Sequence, residues 1–166
     1  LEVTMVSRRP LLKPVVVGIG AALAVATVGS TITDLGPWYR SLHQPSWAPP
    51  DWAFPVGWTS VYVFTVAAGV TAWRAGFEAH ERTRIVGLFA FNAFLNVLWS
   101  LIFFRLHRPD WAFAEVIVFW MSIALLMAVA ARRSLTAQFL LLPYLGWVSF
   151  ASLLNLAVVR LNPPFG

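Results

Sequence analysis

The chain reads as an all-α integral membrane protein, a five-transmembrane-helix bundle with a structured loop between helices 1 and 2. Three observations predict this. Hydrophobic residues make up 59% of the 166 and charged residues only 11%, with a mean hydropathy of +0.72, whereas a soluble domain carries about 25% charged residues. Five stretches lack any Asp, Glu, Lys or Arg: 14–33, 52–73, 85–104, 116–131 and 134–159. Four of them have the roughly 20 residues that cross a bilayer as helix, and the fifth has them once it is extended back towards Trp111. Alternating ten-residue segments, the mark of a membrane barrel, are missing from the pattern.

The first span, about 14–33, is rich in small residues (Gly18, Gly20, Ala22, Ala26, Gly29). They let helices approach closely where lipid supplies no hydrophobic drive. The second, about 52–75, opens after Pro49-Pro50, because proline suits a first turn and the acidic Asp51 suits the dipole there. Pro55 then predicts a bend in its first turns. The remaining spans are read at about 84–104, 110–132 and 135–160. Connections of a few residues leave successive helices antiparallel, so 1–166 is expected to be one transmembrane domain. The segment Ser7-Arg8-Arg9-Pro10-Leu11-Leu12-Lys13 resembles a twin-arginine leader. Its removal would delete the first span and detach the loop, so it is read as retained.

Basic residues set the expected orientation. The tail, the second loop and the fourth loop hold eight (Arg8, Arg9, Lys13, Arg74, Arg82, Arg84, Arg132, Arg133), against four on the other side (Arg40, Arg105, Arg108, Arg160). The positive-inside rule then puts the N-terminus in the cytoplasm and the first loop outside. Because these cations sit at helix ends rather than on one face, the net charge of +5 does not point to nucleic acid. Cysteine is absent, which excludes disulfides, thiolate metal sites and a cysteine nucleophile. No metal site is expected, since His43, His80 and His107 all fall in loops, and only His43 could reach a haem from the first loop.

Polar groups within spans must find partners in the bundle. Asn92 and Asn96 lie one turn apart on the third span, and Trp99 and Phe103 continue that face. Tyr144, Trp147, Ala151 and Asn155 share a face of the fifth span, and Trp58, Thr59 and Tyr62 cluster on the second. Converging faces of this kind make an apolar pocket with a few polar anchors. The same residues equally serve as interhelical hydrogen bonds and interface anchors. Glu115, one turn into the fourth span, is expected to be neutral, paired with an arginine such as Arg108 or Arg160, or near the interface, with a structural partnership favoured over proton chemistry.

The most specific block runs from Trp38-Tyr39 to Tyr62 and contains Pro45, Trp47, Pro49, Pro50, Trp52 and Trp58. It is followed in order by Asn96, Trp99, Phe103-Phe104, Trp111, Pro143-Tyr144-Leu145-Gly146-Trp147, Leu154-Asn155 and Arg160. Over about 15–162 this series resembles the TspO/MBR family of tryptophan-rich sensory and translocator proteins. The resemblance implies a homodimer of five-helix protomers, each with a pocket closed by the first loop, that binds protoporphyrin IX, haem-type tetrapyrroles and other planar apolar ligands, with no obligatory cofactor. It places Trp58, Tyr62, Asn96, Trp147, Ala151 and Leu154 in the pocket and Trp38, Tyr39, Pro45, Trp47 and Pro49 in the lid. Asn92 stands where family members often carry Gln. Leu156 stands where the cholesterol-recognition pattern wants Tyr, so cholesterol is not expected as a partner. The basic N-terminal extension is longer than the family core.

The expected function is therefore a membrane-embedded tetrapyrrole-binding protein acting as sensor, regulator or transporter-like protein, with Arg40 as the candidate partner of ligand propionates. One alternative is light- and oxygen-dependent porphyrin degradation, in which the resemblance makes Trp58 and Trp147 the reactive pair. Another is a membrane scaffold. The spans hold no carboxylate pair or nucleophile–base set for ordinary acid–base or covalent catalysis.

Overall fold

A computed structural model describes residues 11–75 and 78–165; the Arg8-Arg9 pair and the leader-like start lie outside them. The described residues form helices α1 (Leu12–Ile32), α2 (Pro37–Ser41), α3 (Ala53–Arg74), α4 (Ala79–Ser100), α5 (Pro109–Ala131), α6 (Leu135–Leu140) and α7 (Leu142–Leu161). A π-helical turn, Leu101–Arg105, extends α4. Five helical segments are long and apolar enough to cross a membrane: α1, α3, α4 with its π turn, α5, and α6 with α7. They make an integral, multi-pass membrane bundle.

Local chemistry explains where the boundaries depart from the sequence reading. The third span begins at Ala79 rather than 84 because Glu78 and Glu81 form a capping box, with the Glu78 N–H donating to Glu81 Oε2 at 3.1 Å. The second begins at Ala53, so Pro55 falls in the first turn, where its missing N–H has no acceptor to disappoint. The fifth is not one helix. Pro143 cannot donate to the Phe139 carbonyl, and the chain turns at Leu141, whose N–H bonds Gln138 O at 3.0 Å.

The core centres on α5. Val116, Phe119, Ile123 and Leu126 are fully buried against Val61 of α3, Leu95 of α4, and Tyr144 and Val148 of α7. By contrast α1 buries none of its residues. Gly18 on α1 does serve close approach, since a Cβ there would lie 3.2 Å from Val66 of α3. A second cluster, Leu42, Phe103, Phe104, Ala112 and Val158, anchors the first loop to the bundle end.

Candidate functional site

Beneath the first loop lies a cavity of about 650 Å³. One wall comes from α1 (Leu23, Ala26, Thr27, Ser30) and another from α3 (Phe54, Trp58, Thr59, Tyr62). The π turn supplies a third. Its wider helical path turns both Phe103 and Phe104 inward, beside Trp99 and Asn96 of α4. Ala151, Leu154, Asn155 and Val158 of α7 close the space, and Tyr39, Gln44 and Asp51 of the loop roof it.

Of the residues singled out from sequence, Tyr39, Trp58, Tyr62, Asn96, Trp99, Phe103, Ala151 and Leu154 line this cavity. Trp147 does not. Its indole packs edge-to-face on Trp58 at 6.2 Å, behind the wall, where Gly57 gives it room. Any Cβ at position 57 would overlap the Trp147 ring, so the indole is seated directly against the α3 backbone. Trp147 Nε1 is buried without a partner.

The lid residues also divide. Trp38 lies outside the cavity and braces its rim, stacking on His107 at 4.1 Å and meeting Phe103 edge-on at 5.9 Å. Trp47 is half exposed against Phe150. Pro45 and Pro49 are not among the lining residues; Pro45 O accepts from Ala48 N in a tight turn at 2.9 Å. Arg40, expected to face ligand propionates, is exposed and is not itself among the lining residues, but its Nε donates at 3.1 Å to the carbonyl of Leu35, which lines the cavity. Exposed His43 likewise does not line the cavity.

Asn92 and Tyr144 sit deeper, in a buried polar network. The Tyr144 hydroxyl donates to Asn92 Oδ1 at 2.8 Å and accepts from Asn96 Nδ2 at 3.3 Å, while Asn92 Nδ2 donates to Ser122 at 2.8 Å. Asn155 accepts from Trp99 Nε1 at 3.1 Å and donates to Pro109 O at 2.8 Å. The asparagines are thus interhelical glue, and two of them, Asn96 and Asn155, also line the cavity. Tyr62 and Asn96 further border a second cavity, of about 480 Å³ between α1, α3 and α4, where Asn92 and Tyr144 appear as well.

Several features had no clear sequence signal. Asn162, beyond α7, pins the lid by accepting from His43 N at 2.8 Å and donating to His43 O at 3.0 Å. His107 adopts φ 54°, the left-handed region that commonly ends helices, and this directs it onto Trp38. Gln44 and Asp51 could have been suspected from their place in the tryptophan–proline run. Of the alternatives for Glu115, the structure does not show the arginine pair. Arg108 pairs with Asp110 instead, and both Glu115 carboxyl oxygens are buried without a hydrogen bond. Among the described residues no group of three His, Cys, Asp or Glu could hold a metal ion.

Comparison with known proteins agrees with this architecture. The model of the TspO/MBR family matches residues 16–161. The chain is 42% identical over 147 residues to "Tryptophan-rich protein TspO" of Chlorobaculum tepidum, covering 87% of this chain and 93% of that protein. It is 33% identical to "Protein CrtK" of Rhodobacter capsulatus over 85% of this chain and 89% of the relative. With the human "Translocator protein" it shares 30% identity over 75% of each. A match across both termini of the bundle, joined to five spans and a lidded aromatic cavity, leads to one conclusion: the chain belongs to the TspO/MBR family.

Proposed function

We propose that the protein binds tetrapyrroles and similar planar apolar ligands within the bilayer, acting as a sensor, regulator or transporter-like protein. The observation that carries this is the cavity of about 650 Å³ walled by Trp58, Tyr62, Trp99, Phe103 and Phe104. Small-molecule sites span about 300–1,000 Å³ and combine apolar walls with a few polar groups. Flat aromatic faces on α3 and α4 suit a flat ligand. The words "sensory" and "translocator" in relatives' names accord with signalling or passage as the outcome of binding. A dark titration with protoporphyrin IX, read by tryptophan fluorescence, tests the reading. Saturable quenching in the micromolar range, weakened at least several-fold in Trp58→Phe, is expected. Quenching that never saturates would mean partition into detergent.

A second reading, light- and oxygen-dependent pigment degradation, draws on the contact between Trp58, which lines the cavity, and Trp147 behind it. Bound pigment should then bleach in air and light faster than pigment in empty micelles, and Trp58→Phe should slow it.

Two further expectations accompany the proposal. The N-terminus faces the cytoplasm, because Lys13, Arg74, Arg82, Arg84, Arg132 and Arg133 fall in the segments assigned to that side. Two copies pair through a small-residue face, either that of α1 (Gly18, Ala22, Ala26) or that of α4 (Gly87, Ala90, Ala93); nothing lies within 4 Å of a Cβ built on Gly20 of the first or Gly87 of the second.

A further inference from the structure

The second cavity, of about 480 Å³, differs from the first in its walls and at its mouth. Flat aromatic rings wall the first, whereas branched aliphatic side chains such as Val25, Val66, Val70 and Ile85 dominate here. Val17 and Val86 on its rims are exposed, so it opens sideways to the bilayer. The lining runs from Lys13 to Val25 on α1, from Tyr62 to Trp73 on α3 and from Ile85 to Asn96 on α4, each stretch about 16–18 Å long at the helical rise. That is close to one leaflet, half of a hydrocarbon core about 30 Å thick. Tyr62 and Asn96, shared with the first cavity, stand at the inner end. An aliphatic slot one leaflet deep has the form of an acyl chain.

The outer end is basic. Exposed Lys13 lies there, and the Arg82 guanidinium stands 5.2 Å over the ring of Trp73, which lines the same end. Tryptophan in such a place marks the headgroup level. Among the described residues neither cation is in an ion pair, and Arg82 Nε is buried without a hydrogen-bond partner. The neighbouring carboxylates are engaged elsewhere, Glu81 with Arg133 and Glu78 in the capping box. A buried guanidinium donor calls for an acceptor, and a phosphate oxygen suits it.

We propose that this cavity binds one anionic phospholipid from the adjoining leaflet, with an acyl chain along the slot between α1, α3 and α4 and the phosphate between Lys13 and Arg82. A zwitterionic lipid fills the slot equally well, but its ammonium offsets the phosphate charge that the two cations attract. The site is separate from tetrapyrrole binding in the first cavity and does not depend on it. A second copy of the chain, seated on the small residues Ala22 and Ala93 that line the slot, is the rival occupant.

The test uses the delipidated full chain in a non-ionic detergent. Native mass spectrometry counts bound lipid and thermal unfolding follows its effect, with dioleoyl phosphatidylglycerol, dioleoyl phosphatidylcholine and inorganic phosphate as probes. One saturable phosphatidylglycerol adduct and a raised Tm are expected, with phosphatidylcholine bound more weakly. Lys13→Gln and Arg82→Gln should each weaken phosphatidylglycerol about fivefold and leave phosphatidylcholine unchanged, as the attraction of one basic residue to an anionic headgroup region implies. Raising salt should narrow the gap between the lipids. Ala93→Phe fills the slot and should weaken both lipids; Ala22→Leu, a smaller intrusion from α1, does the same if the larger ring prevents folding. Equal binding of the two lipids, a preference unchanged in both glutamine variants, or binding undiminished in the filled slot overturns the proposal. An equal Tm gain from inorganic phosphate alone also overturns it, because the slot would then have no part. A Tm that rises with protein concentration and not with lipid assigns the slot to a second copy, and the proposal falls.

Discussion

Helices α1 and α5 are both long, apolar spans, yet they do opposite work. Along α5 nine residues are buried, from Pro109 to Ala130, and Phe119, Ile123 and Leu126 form the centre of the core. Along α1 none is buried, and Leu12, Val16, Val17 and Leu23 are all exposed on its surface. The lesson is that apolarity in a membrane chain reports suitability for the bilayer and not place in the bundle. Lipid tails and a protein interior are equally good surroundings for a leucine. What separates the two helices is their neighbours. α5 packs between α4 and α7, whereas α1 stands against α3 and α4 and walls two cavities.

Truncation should expose this contrast most strongly. Phe119→Ala is expected to cost about 3–5 kcal/mol by unfolding in detergent, as emptied core sites do. Val16→Ala on α1 should stay within about 0.5 kcal/mol, as open surface sites do. Equal costs would mean α1 is packed by something outside the protomer.

A smaller effect is expected where α3 meets α7. Gly57→Leu forces its side chain into the Trp147 ring, and overpacking of this kind costs about 1–3 kcal/mol. Because Trp147 backs Trp58, the same change should weaken porphyrin quenching several-fold. Stability loss with unchanged binding would separate the wall from the ligand.

Next comes the lid. Asn162→Ala removes both hydrogen bonds to the His43 backbone, with an expected loss of about 1–2 kcal/mol. Limited proteolysis should show faster cleavage within 42–50, and ligand should dissociate faster. A lid equally protected in the variant would show that the apolar packing of Leu42, Trp38 and Tyr39 holds it.

The smallest effect concerns Tyr39. Its phenol lies above the ordinary value of 10.0 through burial, reinforced by Asp51. A raised phenol favours the neutral form in the folded state, so its contribution is complete below pH ~10 and is lost as pH rises through the raised value. Asp51→Asn should bring the ultraviolet tyrosinate transition down; an unmoved transition would leave burial as the sole cause.

Much of this molecule was legible in residue order. The charge-free stretches located all five spans, and the tryptophan–proline run marked the lid. Helical spacing put Asn92 and Asn96 on one face, as their shared bond to Tyr144 requires. Spacing misled on Trp147: it put the residue on one face with Ala151, which lines the cavity, while Trp147 does not. Whether a large ring enters a cavity or fills a notch depends on the opposing helix, here Gly57. The pairing of Glu115 with Arg108 did not form for a similar reason: Asp110, two residues from Arg108, took that arginine by proximity.

Composition and patterning were enough for the helical class, the number of spans and the family, since each follows from how a stretch of chain partitions into lipid and satisfies its own backbone. They could not choose the core helix, notch Trp147 against Gly57 or tether the lid through Asn162. Those outcomes depend on side chains far apart in sequence meeting at distances of a few ångströms, where packing and hydrogen-bond geometry, rather than apolarity, set the result.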